Sequence, residues 1–354
     1  MPPYESVGLA ALSHNSELVL HKYKVKGLAS DDVKIRVLYC GICHSDVHQV
    51  NNDWHDGIFP MVPGHEIIGE VSEVGESVMR FRKGDIVGIG CMVDSCGTCK
   101  SCSMKNEQFC PKLSLTYNSR YQDGSLTYGG YGKFVTVNEH FVLRVPTNLN
   151  LPAVAPLLCA GVTVFSPMMR FKMNKPGFKL AVLGLGGLGH MAVKFGVKFG
   201  CDVTVITRSE SKRESSLALG AKDFIVATDV EELTRRAGTF DGIIDTVCTQ
   251  RDAQLFFNLL TIHGVMVCVG APPKGAMTSL VSSSLIFGEK ILSGGLIGNI
   301  ETTQEMLDFC GKHDVVSEIE LIKFSDVNDA CKRLVKSDVR YRFVIDVAGS
   351  LDQI

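Results

Sequence analysis

The sequence predicts an α/β protein with two domains, one mostly β and barrel-like, the other built on a doubly wound parallel sheet. Short β-like runs broken by glycine fill about the first 150 residues, and many short strands with frequent turns are typical of a compact β unit. From Lys179 onward, strand-like segments alternate with helical ones, which favours a parallel sheet. With 354 residues, the chain is long enough for each domain to have its own core.

In the first domain, the predicted strands are short, rich in β-branched residues and bounded by turn signals. They are Val33–Tyr39, Gly69–Val74, Asp85–Ile89 and Phe134–Val137. The segment Leu151–Phe165 is apolar over a longer stretch and predicts a helix. At this point the sequence changes from short strand-like runs to longer helical segments.

The second domain follows a strand–helix rhythm. Its predicted elements are strand Lys179–Leu183, helix Gly187–Phe199, strand Asp202–Thr207, helix Lys212–Leu219, and strands Asp223–Val226, Gly242–Asp245 and Gly264–Val269. The pattern changes again after about Ile297, where Thr302–Cys310 predicts an amphipathic helix and Arg342–Val347 a closing strand.

The composition argues against several classes of protein. The chain has 36 basic and 38 acidic residues, so its net charge of −2 gives no reason to expect nucleic acid or an anionic membrane as partner. Met1–His14 does not resemble a secretory signal, and no apolar run reaches the ~18 residues of a spanning helix. The thirteen cysteines are odd in number and unevenly spaced, which favours a metal site and buried thiols in the cytoplasm over a disulfide framework.

A glycine motif marks the predicted cofactor site. Gly184, Gly186 and Gly189 form G-x-G-x-x-G between a predicted strand and a predicted helix. In that context the glycines permit a tight turn and let the backbone approach a pyrophosphate, to which the helix N-terminus offers its N–H groups. The sequence therefore predicts a dinucleotide site.

The end of the second strand predicts which dinucleotide is bound. An NAD site usually carries Asp or Glu there to hold the ribose 2′-hydroxyl. This chain has instead Thr207, Arg208 and Ser209, followed by Lys212. The nearest acids, Asp202 and Glu210, lie at the start of the strand and beyond its end. Positive charge and hydroxyls suit a 2′-phosphate, so we predict a preference for NADP(H).

Two sets of residues have the composition of metal sites. The first is the run C-x2-C-x2-C-x7-C formed by Cys96, Cys99, Cys102 and Cys110. Four thiolates within fifteen residues can enclose a tetrahedral zinc ion, although an iron–sulfur cluster also uses short cysteine spacings.

The second set is dispersed along the chain and consists of Cys43, His65, Glu66 and Cys159. Two cysteines and a histidine form a catalytic zinc site with a position left for water, substrate or Glu66. Next to a nicotinamide, such a Lewis acid would polarise a carbonyl during hydride transfer.

These motifs occur in one order along the chain: GICHSD, VPGHE-x2-G, the four-cysteine lobe, PLLCAG and GLGGLG. The series closely resembles the zinc-dependent medium-chain alcohol dehydrogenases. Within them it looks most like the cinnamyl alcohol dehydrogenase group and its NADP-dependent aldehyde reductase relatives. GGYGKF (Gly129–Phe134) supports the similarity, which extends from about residue 5 to 347.

The resemblance implies a domain arrangement and two zinc ions per subunit. A GroES-like catalytic domain would comprise residues 1–160 and 298–354, with a structural zinc lobe at about 91–112, and a Rossmann NADP-binding domain would comprise 161–297. Cys43, His65 and Cys159 would hold the catalytic zinc, and Glu66 would replace its water transiently. Asp46 would orient His65, as metal-bound imidazoles usually require.

The resemblance also implies a proton path. Ser45 would exchange the proton with the substrate oxygen, and His48 would relay it to solvent through the cofactor ribose, because imidazole gains and loses protons near neutral pH. His44 and Arg340 would meet the cofactor phosphates, and Thr163, Ser293 and Gly294 the nicotinamide. Further cofactor contacts are expected at Leu185, Gly187, Leu188, Val269 and Gly270. Trp54 and Met92 would line an apolar substrate pocket.

We therefore expect a homodimeric NADP-dependent enzyme that interconverts primary alcohols and aldehydes of aliphatic, aromatic or cinnamyl type. The direction towards reduction is expected from metabolism and not from the sequence, because cytoplasmic NADPH usually drives reductions. A zinc-dependent polyol dehydrogenase is one alternative, but those enzymes often lack the full cysteine lobe and prefer NAD. A non-catalytic NADPH sensor or crystallin-like protein is another, although such relatives would be expected to lose zinc ligands. The third is a thiol-redox or iron–sulfur role for the lobe, which metal analysis would distinguish.

Overall fold

Nineteen strands form within the residues that the computed structural model describes, 1–275 and 277–351. They are β1 Tyr4–Ala11, β2 Leu18–Val25, β3 Asp32–Ile42, β4 Ile67–Val74, β5 Ile86–Ile89, β6 Met92–Asp94, β7 Ser114–Leu115, β8 Phe134–Asn138, β9 Leu143–Arg144, β10 Lys179–Leu183, β11 Asp202–Thr207, β12 Asp223–Val226, β13 Phe240–Asp245, β14 Arg251–Asp252, β15 Leu260–Cys268, β16 Thr278–Ser279, β17 Ile291–Gly294, β18 Ile319–Lys323 and β19 Arg342–Asp346.

Twelve α-helices form in the same described residues. They are α1 His44–Asn51, α2 Lys100–Ser103, α3 Leu151–Val154, α4 Ala160–Arg170, α5 Gly187–Lys198, α6 Arg213–Ala218, α7 Val230–Arg235, α8 Gln254–Phe257, α9 Ser283–Ile286, α10 Ile300–His313, α11 Val327–Val335 and α12 Val347–Ser350. Short 3-10 helices span Glu107–Phe109, Glu139–Phe141, Ala155–Leu158, Glu210–Lys212 and Phe324–Asp326.

The chain divides into two units, at Val162/Thr163 and at Ile297/Gly298. The first unit contains the two ends of the chain and is organised around a seven-stranded sheet of order β18-β19-β3-β4-β5-β9, with β8 also paired to β3. All pairs in it are antiparallel except β18 with β19. Alternate residues of β3 (Val33, Ile35 and Val37) are buried on one face, as the period of a half-buried strand requires.

Pairing of β3 with β4 brings two distant motifs together. β3 ends at Ile42 and β4 begins at Ile67, and in this antiparallel pair Cys40 lies opposite Ile67. The N–H of Gly41 donates to the carbonyl oxygen of Glu66 at 2.9 Å. The residue that follows β3 and the residues that precede β4 are therefore neighbours, although more than twenty positions separate them in the sequence.

The second unit confirms the predicted doubly wound sheet. Six strands pair in the order β12-β11-β10-β13-β15-β17, and every pair is parallel. Strands buried on both faces are nearly continuous apolar runs, such as Leu180–Leu183, which is at most 3% exposed. Because the strands are parallel, their carboxyl ends lie along one edge of the sheet, where α/β folds bind their ligands.

The prediction of one helix over Leu151–Phe165 was wrong. Two helical segments, Leu151–Leu158 and Ala160–Arg170, meet at an angle of 55°. Pro152 and Pro156 begin successive short turns, where a missing N–H costs nothing, and Cys159 between the segments has a non-helical backbone. Among the described residues no single helix is long and apolar enough to cross a membrane, and only this bent pair reaches that length and composition together.

Candidate active site

The first helix after β3 begins at the cluster of candidate metal ligands. Cys43 is the N-cap residue of α1, and the carboxylate of Asp46 accepts a hydrogen bond from the Cys43 backbone N–H at 2.8 Å. An acidic residue in the first turn stabilises a helix by satisfying a free N–H and by favourable interaction with the helix dipole. The sequence CHSD therefore fixes the direction in which the chain leaves β3 and the position of the Cys43 thiol.

The dispersed candidate ligands converge in the first unit. One ligand atom from each of Cys43, His65, Glu66 and Cys159 lies within 4.8 Å of all the others. The two Sγ atoms are 4.0 Å apart, and no residue of the four is more than 8% exposed. A thiol–thiol–imidazole set at this spacing can surround one ion, as the sequence analysis predicts for zinc.

The charges in this cluster fit a divalent cation. The hydrogen bond with Cys159 lowers the pKa of Cys43 well below its ordinary value. The same contact, a hydrogen bond with Cys91 and burial raise the pKa of Cys159 well above its own. Two buried thiolates at this distance would repel each other, so the site as it stands disfavours ionising both thiols. Zinc would remove that conflict, since it binds both sulfurs as thiolates.

His65 is held from two sides. Its Nδ1 lies 3.3 Å from Asp46 Oδ1, and its ring is stacked at 19° on the ring of Tyr117, with centroids 5.8 Å apart. Because Nδ1 faces a carboxylate, Nε2 is the nitrogen available to a metal. The neighbouring Asp46 is itself buried, at 1% exposure.

Two residues that the sequence analysis missed lie at this cluster. The guanidinium of Arg342, in β19, donates to Glu66 Oε1, and both side chains are buried. Burial raises the pKa of Glu66 to about 7, while the Arg342 charge opposes that rise. Cys91 is a third thiol at the cluster, where it forms a hydrogen bond with Cys159. In the sequence, Arg342 is marked only as a charged residue at the start of an apolar strand, and Cys91 only as the cysteine of GIGC.

The predicted proton-path residues lie along α1. Ser45 Oγ is 3.6 Å from Cys43 Sγ, and His48 Nδ1 is 2.7 Å from Asp53 Oδ2. Asp53, which the sequence analysis also missed, accepts this contact just past the end of the helix. His48 keeps 18% of its side chain exposed and Asp53 34%. The pair is therefore partly open to solvent at the end of α1.

The two predicted substrate residues differ in exposure. Trp54 is partly exposed and its ring centroid lies 5.3 Å from that of His48. Met92, the first residue of β6, is 3% exposed. Trp54 therefore offers surface beside His48, and a substrate contact stays a prediction for both Trp54 and Met92.

The four-cysteine lobe forms a second candidate metal centre. The sulfurs of Cys96, Cys99, Cys102 and Cys110 all lie within 4.8 Å of one another. Two backbone N–H groups, from Thr98 and Cys99, are the main reason that the pKa of Cys96 falls to about 6. Gly97, with a φ of +67°, makes the tight turn that aims these groups. Zinc binds cysteine as thiolate, so backbone donors that stabilise the Cys96 thiolate favour metal binding.

The glycine motif forms the turn between β10 and α5. Gly184 has a φ of +91°, and a side chain on Gly189 would lie 2.0 Å from the carbonyl oxygen of Gly184. Both glycines are therefore needed by the fold itself. Gly186 is different, because a Cβ there would meet no described atom within 4 Å. Glycine at that position keeps space beside the start of α5 open for a group from outside the protein, as a pyrophosphate requires.

The carboxyl end of β11 carries the predicted hydroxyls and cations. Thr207 is buried, Arg208 and Ser209 are exposed, and Lys212 Nζ donates to the carbonyl oxygen of Leu185 in the glycine turn at 2.8 Å. The carboxylate of Glu210 is engaged by Arg213. The nearest acidic group is therefore already paired, which leaves the end of β11 suited to a phosphate.

The remaining predicted cofactor residues are distributed over both units. In the first unit, His44 begins α1 and Arg340 precedes β19, and both are exposed. The others lie in the second unit: Leu185, Gly187 and Leu188 in the glycine turn and α5, Thr163 in α4, Val269 and Gly270 directly after β15, and Ser293 and Gly294 at the end of β17. Their contacts with a cofactor stay predictions.

Comparison with known proteins gives consistent results over the whole chain. The family model described as alcohol dehydrogenase GroES-like domain matches residues 29–147, and the model described as zinc-binding dehydrogenase matches residues 187–312. A probable mannitol dehydrogenase from Mesembryanthemum crystallinum is 49% identical, over 99% of this chain and 96% of that relative.

Two solved structures are also similar. A cinnamyl alcohol dehydrogenase from Sorghum bicolor superposes with a TM-score of 0.96 and 46% identity, covering 98% of this chain and 99% of that one. A cinnamyl alcohol dehydrogenase from Helicobacter pylori, solved in complex with NADP(H), superposes with a TM-score of 0.93 and 40% identity at the same coverage.

Proposed function

This chain belongs to the zinc-dependent medium-chain alcohol dehydrogenases, and from that premise we propose that it interconverts primary alcohols and aldehydes with NADP(H) as hydride carrier. The observation that carries the proposal is the buried convergence of Cys43, His65 and Cys159 within 4.8 Å. When bound, zinc supplies Lewis-acid polarisation of the substrate oxygen, and the dinucleotide supplies or accepts the hydride. The protein supplies the ligands, the burial and the proton path.

The proposal assigns the metal-binding groups by chemistry. Cys43 and Cys159 supply thiolates, and His65 supplies Nε2, because Asp46 engages its other ring nitrogen. Three protein ligands leave one position open, which is the arrangement of catalytic zinc sites. Arg342 balances the charge of Glu66 next to this set. The lobe cysteines supply four thiolates and leave no open position, so that ion is structural.

The proton path runs from Ser45 to His48. Ser45 Oγ lies beside the Cys43 thiol, where its hydroxyl can exchange a proton with the substrate oxygen. Asp53 holds His48 Nδ1, which fixes the ring and leaves the other nitrogen to pass protons to solvent.

Removing the path should slow turnover without loss of metal. We expect Ser45→Ala to lower kcat by about 10²-fold or more, the size of a general acid–base contribution. His48→Gln should cost less, and mostly at low pH, because water can replace a relay more easily than the first donor. Steady-state kinetics across pH together with zinc analysis measure both effects, and the exposed His14→Gln serves as control. Full activity in Ser45→Ala would contradict the proposed path.

NADP preference is supported by the residues at the end of β11. Arg208 is exposed there without an acidic partner among the described contacts, and a guanidinium pairs with phosphate through charge-assisted hydrogen bonds. We expect Arg208→Ala to lower kcat/KM for NADPH by about tenfold or more while leaving NADH nearly unchanged, since a hydrogen bond to a charged group contributes roughly 1.5–3 kcal/mol. Arg235→Ala, an exposed arginine on α7, is the control. A wild type that prefers NADH would refute the proposal.

The substrate class is supported by Trp54 and by the names of the relatives. An aromatic side chain beside the proton path favours apolar aldehydes, including aromatic and cinnamyl-type ones. A panel of aliphatic, aromatic and cinnamyl aldehydes, with mannitol as the polyol comparison, tests this on zinc-replete protein. Preferred oxidation of the polyol would favour the alternative class.

A homodimer is the proposed assembly. β17 ends the parallel sheet, and among the described strands it pairs with β15 alone. Its residues Ile291 and Leu292 are 45% and 37% exposed, and nearby Phe287 is 88% exposed. An apolar edge strand is a liability unless another chain covers it, and two copies related by a twofold axis cover both edges. Light scattering of the purified protein tests this, and a monomer at micromolar concentration would contradict it.

A reducing, cytoplasmic compartment is proposed from the thiol chemistry. The six cysteines of the two clusters must stay reduced for metal binding, and cytosolic thiols are kept reduced. Cell fractionation tests the location, and recovery in an oxidising compartment would contradict it.

A further inference from the structure

The segment Gly129–Phe134 (GGYGKF) is part of the family resemblance but contributes no residue to the proposed chemistry. It runs beside residues 62–64, which immediately precede His65. Three backbone hydrogen bonds join the segments: Gly129 N to Val62 O at 2.8 Å, Gly130 N to Gly64 O at 2.8 Å, and Tyr131 N to Pro63 O at 3.0 Å. A Cβ on Gly129 would lie 2.3 Å from the Pro63 oxygen. Only glycine allows this approach, so the segment holds the chain that carries the imidazole.

Tyr131 extends this contact to the side chains. Its ring is fully buried, and its hydroxyl donates to Asp46 Oδ2 at 3.2 Å. The other oxygen of Asp46 lies 3.3 Å from His65 Nδ1. Burial, and then the Asp46 charge, raise the pKa of Tyr131 well above its ordinary value, so the hydroxyl remains a donor. A chain of contacts therefore runs from the tyrosine through the carboxylate to the imidazole.

The position of the Asp46 carboxylate is set mostly by its donors. Its oxygens accept from the backbone N–H groups of Cys43 at 2.8 Å and Gly64 at 3.2 Å, besides the contacts with His65 and Tyr131. The backbone donors fix where the carboxylate sits, the Tyr117 side chain also hydrogen-bonds to it, and the Tyr131 hydroxyl is a further donor to Oδ2. Loss of the phenol would leave the carboxylate freer to rotate away from the imidazole.

We propose that Tyr131 is a positioning residue for the catalytic metal site, which it influences through Asp46 and the His65 ring. The inference rests on the zinc chemistry proposed above. Partners beyond the direct ligands typically change metal affinity by 10- to 100-fold. The hydroxyl of Tyr131, two steps from the metal, should contribute near the lower limit.

The test compares two tyrosines. Tyr121 is also buried, and its hydroxyl donates to the Thr136 carbonyl oxygen at 2.8 Å, away from Asp46. Both Tyr131→Phe and Tyr121→Phe lose one buried hydrogen bond and keep the ring. With excess chelator, we expect zinc to leave the catalytic site about tenfold faster in Tyr131→Phe and at the wild-type rate in Tyr121→Phe. The kinetic phase of zinc release that belongs to the catalytic site is the one that is absent in Cys159→Ala. Equal release rates in the two tyrosine variants would overturn the inference.

A double variant separates positioning from general stability. Because Tyr131 acts through Asp46, Tyr131→Phe should change zinc release little in an Asp46→Asn background, and additive effects would overturn the proposal. Should Tyr131→Phe fail to fold, Asp46→Asn still tests the step from the carboxylate to the imidazole, and wild-type zinc retention in that variant would overturn the inference. Wild-type zinc content and activity are measured in parallel. A zinc-free wild type contradicts the proposed function, whereas unchanged release in Tyr131→Phe contradicts only this inference.

Discussion

Replacing Cys159 by alanine should remove one of two zinc ions and nearly all activity. The thiol lies 4.0 Å from that of Cys43 in a buried site, so its loss leaves two strong ligands, too few for a catalytic zinc. We expect zinc to fall from about two to about one per chain. Turnover should fall by more than ~10³-fold, equivalent to at least ~4 kcal/mol of transition-state stabilisation. Elemental analysis and aldehyde reduction assays measure the two quantities.

The control for this prediction is another buried thiol in the same unit. Cys310 lies in α10 and contacts Met306 Sδ at 3.8 Å, outside both clusters. Cys310→Ala should keep both zinc ions and activity within a few-fold, although it creates a similar small cavity. If Cys159→Ala kept full zinc content and turnover, these thiols would not form the catalytic metal site.

Replacing Arg342 by methionine should cost a large part of the protein's stability. The guanidinium is the buried partner of Glu66, and breaking a buried ion pair by removing one partner typically costs about 3–5 kcal/mol. The double variant Glu66→Gln/Arg342→Met should recover much of the lost free energy of unfolding, because no buried charge of this pair is then left unpaired. Urea unfolding followed by circular dichroism measures the free energies.

The same sheet offers an exposed pair for comparison. Arg36 Nη2 lies 2.7 Å from Glu70 Oε2 across β3 and β4, with side chains 44% and 36% exposed. Arg36→Met should cost less than about 1 kcal/mol, since water screens an exposed pair. A loss in Arg342→Met no larger than in Arg36→Met would show that the buried pair is not a stabilising element.

The sequence alone identified the local motifs, because each of them is recognised from residues that lie close together in the chain. The glycine motif needs only a strand before it and a helix after it, and the structure has both. The lobe cysteines lie within fifteen positions, so any fold of that segment keeps their sulfurs close. The helix prediction over Leu151–Phe165 failed because hydrophobicity does not report the break at Cys159.

The missed residues show a different limit. Arg342 and Glu66 are separated by 276 positions, and no periodicity in the sequence predicts that β19 lies beside β3. Asp53 is only five positions from His48, but the contact forms because Asn52, the residue that caps the end of α1, has a left-handed conformation. That turn brings the carboxylate back towards the histidine. An acid just past a helix end could have been considered as a partner.

By itself, the sequence determined the fold class, the dinucleotide turn and the lobe, because short-range spacing and strand–helix alternation encode them directly. It also supplied the dispersed ligands as candidates through the order of their motifs. Only the tertiary structure decided that Cys43 and Glu66 are neighbours, through the pairing of β3 with β4, and that a bend between two helices sets Cys159 beside them. The physical reason is that burial and strand pairing act between residues far apart in sequence, where no local pattern records the contact.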